Sequence, residues 1–494
     1  MGNSDQSIRR NWVIIGTFTV IICIGIGLYF YNSFFRQSNA QLIETVPTDA
    51  TFIFEVNDNR NFVNDVSPFF PYLNELLNLS SFSGFEFFMD QLEGSKSQFI
   101  ISGHRSGDQY SILYSFRIAE YQFEELVEKL EIDPRNCTTF NEFKIFVYGT
   151  HFKKFSFTYH DGVFSITEDL DLLKKSIVQL ESTKNLLEID HFSKLYKIVS
   201  KNKKQNWLII NNATFFSGIN TFLNPDFQGY IANNIQNPGW SAYQIRFNDS
   251  EISMMGYSNV DEEMIEKLKL QPSQRNGFGN ILPFNTHFYS TFNTSNPVEF
   301  LKQFKENKTY SISLENYSKL LPTTSTYFSL DQDSITYYFM AFKCDTMKTP
   351  IATILHPDSI VINQRINPYP IYASNLSEVY PHMNKQFKSE KLAYFIQYNG
   401  YLIFSSTAEA LLYYLKVIPN NNIESSPYYR FAKSNLPSET SYEFFLASST
   451  SKKWNKYLTE KSLKLNIAKD LKLITYSYAQ PKDQLIGVNI FIKF

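Results

Sequence analysis

The chain has 494 residues, 43% hydrophobic and 19% charged, with 18 Gly and 19 Pro. It is long enough for roughly two to four packed domains, and its composition excludes disordered, collagen-like and low-complexity classes. A net charge of -2 argues against a nucleic-acid partner, and three cysteines without a Cys-x-x-Cys exclude a disulfide scaffold, a zinc ribbon and a thioredoxin-like site.

The first predicted element is a membrane span. Residues 12–31 read WVIIGTFTVIICIGIGLYFY without a charge, and as a helix this run rises roughly 30 Å, the thickness of the hydrocarbon core. Trp12 and Tyr31 suit the two interfaces, and Cys23 lies within the span. Arg9 and Arg10 precede it while Arg36 alone follows closely, so the positive-inside bias puts residues 1–11 in the cytoplasm and the rest outside it. A cleaved signal peptide is the competing reading, with Ser38-Asn39-Ala40 as the cleavage site, but the apolar run exceeds the usual h-region. The expectation is a single-pass signal anchor in the inner (plasma) membrane with a periplasmic or otherwise extracytoplasmic ectodomain.

Beyond the anchor, the chain matches itself at a nearly constant offset. VPTDATFIFEVN (46–57) falls on LPFNTHFYSTFN (282–293), SILYSFRI (111–118) on YYFMAFKC (337–344), and YHDGVFSITEDLDLL (159–173) on YNGYLIFSSTAEALL (398–412). WLIINNAT (207–214) similarly falls on EFFLASST (443–450), so the matches keep one order along both halves. The predicted organisation is a repeat over 42–265, a polar linker around 266–277, and a second repeat over 278–494.

Within each repeat the pattern alternates strands and helices. TFIFEVN after Pro47, QYSILYSFRI, FKIFVYG, KKFSFTYH and GVFSITE read as strands, and Pro283 opens the matching strand of the second repeat. Asp161-Gly162 and Asn399-Gly400 predict two-residue hairpin turns, because both central positions of a type I′ turn need positive φ. YQFEELVEKLEI predicts a helix with Phe123, Leu126, Val127 and Leu130 on one stripe, and DLDLLKKSIVQL a helix capped by Glu168 or Asp169. An α+β class follows: one N-terminal transmembrane helix, then two tandem antiparallel-sheet and helix units.

The anchor followed by Val46-Pro47-Thr48-Asp49-Ala50 and an immediate strand resembles an uncharacterised bacterial family of membrane-anchored domains of unknown function. The second opening, Leu282-Pro283, carries Asn285-Thr286 where the family pattern has Asp-Ala. The resemblance implies a bacterial envelope location and no activity.

Motifs for chemistry are sparse. Gly94-Ser95-Lys96-Ser97 lacks the glycine spacing of a phosphate loop, and there is no GxGxxG, GxSxG, His-Glu-x-x-His or EF-hand pattern. The seven histidines are dispersed, so a metal site or triad would have to be assembled by the fold. His160 beside Asp161 reads as a solvated turn histidine, and Glu124, Glu125, Glu128, Glu131 and Asp133 as a solvated helix face. Ser102-Gly103-His104-Arg105 offers a nucleophile beside a base; treating them as strand neighbours that face opposite sides sets catalysis there aside. No His, Cys or carboxylate pair recurs in both repeats. The expected function is therefore non-enzymatic: an envelope binding or scaffold protein without cofactor or metal, in contact with the bilayer through 12–31 and with an envelope protein. A carrier of an apolar ligand or lipid is the first alternative, and a hydrolase assembled from dispersed residues the second.

Overall fold

The computed structural model describes residues 41–57, 65–75, 98–149, 154–228, 239–296, 323–343, 360–362, 368–373, 393–448 and 454–494, apart from single positions and pairs within them. The run 12–31 with Trp12, Cys23 and Tyr31, and its flanking Arg9 and Arg10, lies outside these residues. Among the described residues no helix is long and apolar enough to cross a membrane. The chain forms two compact units, Met1–Arg60 with Leu79–Ile189, and Asn61–Asn78 with Asp190–Phe494.

In the first unit, β1 (Ala50–Val56), β2 (Phe99–Ser106), β3 (Gln109–Arg117), β4 (Thr138–Phe140), β5 (Phe143–Gly149), β6 (Lys154–His160) and β7 (Val163–Thr167) build one antiparallel sheet. The spatial order is β1-β2-β3-β7-β6-β5-β4. Helices α1 (Glu120–Lys129) and α2 (Leu170–Glu181) cover opposite faces, as the two-residue period of β5 reveals. Phe146 meets Phe123 of α1, which also stacks on Tyr159 at 4.7 Å, whereas Phe143 and Ile145 pack with Leu172, Leu173 and Ile177 of α2. Asp169 caps α2 by accepting from the backbone N–H groups of Asp171 and Leu172.

The second unit opens with α3 (Asp190–Val199), β8 (Trp207–Asn211), α4 (Asn212–Ile219), β9 (Trp240–Asn248), β10 (Glu251–Asn259), α5 (Glu262–Lys269) and β11 (Gln274–Arg275). Next come β12 (Phe288–Asn293), β13 (Thr324–Gln332), β14 (Ile335–Lys343), β15 (Ile360–Ile362), β16 (Ile371–Ala373), β17 (Tyr394–Tyr398) and β18 (Tyr401–Ser405). The unit closes with α6 (Ala408–Val417), α7 (Pro427–Asn435), β19 (Glu439–Thr440), β20 (Tyr442–Ala447), α8 (Asn466–Asp470), β21 (Leu473–Tyr478) and β22 (Leu485–Lys493). Its main sheet runs β8-β9-β10-β22-β21-β20-β12-β13-β14-β18-β17-β16-β15, antiparallel throughout.

The pairing series β12-β13-β14-β18-β17-β16-β15 has the form of β1-β2-β3-β7-β6-β5-β4, and β20-β21-β22 has that of β8-β9-β10. The two opening prolines make the same turn, with Ala50 N donating to Pro47 O at 3.1 Å and Thr286 N to Pro283 O at 3.0 Å. Asp161 and Gly162 have φ of 48° and 80°, and Asn399 and Gly400 of 46° and 82°, which is the pair of left-handed conformations a type I′ turn demands. An antiparallel α+β architecture is thus present in both units.

The compact units do not divide where the sequence repeats do. β10 pairs with β22 along its whole length, from Glu251 opposite Lys493 to Asn259 opposite Leu485, and this ladder holds β8 to β10 in the second unit. The polar stretch expected as a linker is packed: α5 runs to Lys269, β11 pairs with β19, and Gln271 is buried, with its side-chain oxygen accepting from the Tyr478 hydroxyl at 2.6 Å.

Two glycines of the β10–β22 ladder have unlike surroundings. A Cβ on Gly256 would stand 1.9 Å from Ala242 O, whereas one on Gly487 would meet only Ala479 Cβ at 3.9 Å. Gly256→Ala is expected to lower unfolding stability by about 1–3 kcal/mol through overpacking. Gly487→Ala should stay within about 0.5 kcal/mol, with urea titrations of the two variants giving the comparison.

Candidate functional site

The best-defined cluster of reactive side chains lies in the first unit, between β2 and α2. Ser102 and His104 are two residues apart and so share one face of β2; they are not neighbours pointing to opposite sides, and the sequence argument that separated them is corrected by this spacing. Ser102 stands opposite Leu113 of β3, which belongs to the core under α2. His104 Nδ1 lies 2.7 Å from Asp49 Oδ1, and its Nε2 lies 3.0 Å from Ser102 Oγ. Asp49 sits in the Pro47 turn that feeds β1, and its second oxygen accepts from Lys175 Nζ of α2 at 2.8 Å. Ser111, opposite His104 on β3, donates to Asp169 Oδ2 at 2.8 Å, so the carboxylate that caps α2 also ties the helix to the sheet.

Electrostatics follow from these contacts. The hydrogen bond from His104, joined by Lys175 and opposed by partial burial, holds the Asp49 carboxyl well below the usual carboxylate range. With Asp49 ionised, the imidazole donates from Nδ1, which leaves Nε2 to accept the Ser102 hydroxyl proton. Acid, imidazole and hydroxyl then stand in the order used by nucleophilic serines.

Two features distinguish the set from a working nucleophile. Ser102 is 0% exposed and His104 4%, and β2 runs between β1 and β3, with Ser102 opposite both Ile53 and Leu113. The backbone N–H groups on either side of Ser102 are therefore taken up by ladder bonds and are not aimed beside Oγ to receive an oxyanion. The Phe52 ring closes over Gly103, where a Cβ would stand 2.1 Å from its Cε1. What the arrangement does is satisfy buried polar groups while fastening a turn, a strand and a helix together.

The second unit has its own Ser–His–Asp set where β12 pairs with β13. His287 Nε2 is 3.3 Å from Ser329 Oγ, and its Nδ1 is 3.5 Å from Asp331 Oδ2, while Asp331 Oδ1 accepts from Thr336 Oγ1 at 2.9 Å. It is not a copy of the first. Ser102 stands opposite Ile53, whereas Ser329 stands opposite Phe288, and the residue matching Ile53 is Tyr289, whose partner is Phe328. Tyr289 and Phe328 face the core under α6 and α7, so the second set occupies the other side of its sheet.

A third cluster surrounds Glu443 of β20, which is 1% exposed. It accepts from Lys433 Nζ at 2.7 and 2.5 Å and from the hydroxyl of Tyr289, and Lys433 lies 5.6 Å from the Tyr429 ring centroid. Burial and then the Glu443 charge push the Tyr289 hydroxyl well above its ordinary range, so it remains a neutral donor.

His160 is exposed at the end of β6, with its ring 4.5 Å from that of Phe143. Glu124, Glu125 and Glu128 lie on the exposed face of α1, where Lys129 pairs with Glu125 at 3.3 Å. Cys137 is a half-buried free thiol, while Cys344 and residues 94–97 fall outside the described residues. Among the described residues no group of three or more His, Cys, Asp or Glu could hold a metal ion. The spacing Ser-x-His at 102–104 and Ser-x-Asp at 329–331 was the available signal for both sets, and a lone carboxylate in the apolar run EFFLA was the signal for Glu443. Compared with known protein families, curated proteins and solved structures, the chain matches none.

Because the Asp49 carboxyl titrates below its unfolded value of 3.8, its contribution to stability is complete above about pH 4 and is lost as the pH falls towards the depressed folded value. Urea midpoints measured from pH 5 downward should fall for the native chain and fall less steeply for Asp49→Asn. Ser102→Ala leaves the buried His104 Nε2 without its partner and is expected to cost about 1–3 kcal/mol at neutral pH, read from the same titrations.

Proposed function

We propose that the chain is a single-pass, membrane-anchored protein of the bacterial envelope whose extracytoplasmic ectodomain, two copies of one unit, binds or scaffolds another envelope component. The apolar run 12–31 and its flanking arginines support the anchoring and orientation. The observation that carries the rest is the inward placement of the reactive side chains: Ser102, His104, Ser329, His287 and Glu443 are all buried, with Ser102 against His104, Ser329 against His287 and Glu443 against Lys433. In the second unit Tyr257 of β10 and Ile335 of β14 are exposed on the sheet, and binding there rests on shape and surface and not on bond-making.

Carriage of an apolar ligand is favoured by one specific feature. On β10 and β22, Ile252 faces Ile492 and Met254 faces Ile490 across the ladder, and all four are half-buried side by side on one face of the sheet. Organic extraction of the purified full chain distinguishes the two readings, since a co-purifying lipid favours carriage and an empty protein favours scaffolding.

Two measurements check the proposal. Protease added to spheroplasts should digest the ectodomain from outside, and a photo-crosslinking residue in place of the exposed Tyr257 should capture an envelope protein. A fluorophosphonate probe should leave Ser102 unmodified in the folded chain. Stoichiometric labelling of Ser102, abolished by His104→Ala, would overturn the binding reading in favour of hydrolysis.

A further inference from the structure

We infer that Asn399-Gly400 is a self-modifying site, at which the Asn399 side-chain amide is lost by attack of the Gly400 backbone nitrogen. The two residues are the exposed centre of the hairpin turn between β17 and β18. In that turn Tyr398 pairs with Tyr401, so the strand ladder ends at those residues and does not engage the N–H of Gly400. Gly400 carries no Cβ to obstruct approach to the neighbouring carbonyl carbon, and nothing stands within 4 Å of where one would be. The nucleophile and the electrophile are adjacent in the chain and exposed, and the Asn399 side chain is hydrogen-bonded to the Tyr398 hydroxyl.

The step balances without an external reagent other than water. The Gly400 nitrogen gives up its proton and forms a bond to Asn399 Cγ, and the Cγ–Nδ2 bond breaks, with the proton leaving in ammonia. The resulting five-membered imide is opened by water at either carbonyl. One opening gives aspartate, the other an isoaspartyl linkage in which the main chain runs through the former side chain.

The two products differ in what they do to the fold. The matching turn of the first unit is Asp161-Gly162, with φ of 48° and 80° against 46° and 82° for Asn399 and Gly400. An aspartate is therefore already seen to fit this turn. The isoaspartyl product inserts an extra main-chain carbon into a two-residue loop, which cannot then keep Tyr398 opposite Tyr401. Phe395 and Ile396, opposite Phe404 and Ile403, belong to fully buried packing and depend on that register.

Peptide mapping of the full chain after incubation at mildly alkaline pH tests this, because base removes the attacking nitrogen's proton. The peptide containing Asn399 should gain the mass of an amide-to-acid exchange, should split into aspartyl and isoaspartyl forms on chromatography, and should accept a methyl group from an isoaspartyl methyltransferase. Asn276-Gly277, the other Asn-Gly in the chain, serves as a comparator in the same digest. Asn399→Asp should fold with an unchanged melting transition, and Asn399→Gln should abolish the mass gain. An Asn399 peptide that keeps its mass while the Asn276 peptide converts would overturn the inference. So would conversion that occurs only in urea, or conversion of the Asn399 peptide no faster than peptides whose Asn precedes a bulky residue.

Discussion

Interior strands of an antiparallel sheet have every backbone donor and acceptor engaged on both sides, and this constraint governs what the protein can do. β2 lies between β1 and β3, and β10 between β9 and β22, so side chains on these strands act without help from backbone dipoles. At Ser102 the consequence is chemical: a hydroxyl correctly ordered against an imidazole and a carboxylate has no donors beside it. At β10 the consequence is architectural, since the strand closing one half of the sequence becomes the neighbour of the strand closing the other.

The buried polar sets follow the same logic. A sheet face lined with hydroxyls, such as Ser115, Ser165 and Thr158, needs partners under a helix, and they find them in each other or in backbone carbonyls. Thr45 bonds Ser115, and Ser176 of α2 bonds the Thr45 carbonyl at 2.7 Å. His104 with Asp49 extends this seam to the rim, where the carboxylate and Lys175 reach water. Such sets specify register: a slip of one residue would turn Ser102 and His104 to the face occupied by Phe52.

Much of this was legible in the sequence where the signal is local. The stripe of Phe123, Leu126 and Val127, the cap at Asp169 and the turns at 161–162 and 399–400 are properties of a few adjacent residues, and backbone sterics decide them. The Asp49–His104 contact was hidden because it joins residues far apart in the chain, through a strand pairing whose register no local pattern declares. The sets at Ser102 and Ser329 also escaped a comparison of the repeats, since they lie on opposite sides of their sheets and so align with unrelated residues. Packing of Gln271 against Tyr478 was equally unreadable, because a polar run looks like a linker until a distant tyrosine is brought to it.

The β10–β22 ladder has a consequence for the protein in pieces. Severing the chain between α5 and β12 without dissociating the halves would leave the seam intact, but producing either half alone would strip one flank of its terminal strand. β10, reading EISMMGYSN, would then be a bare template with unmet hydrogen bonds, no proline and a single charge to repel a stranger. The free halves would be sticky, and the natural antidote to each is the other, so co-expressed fragments make a complementing pair where solitary ones make aggregates.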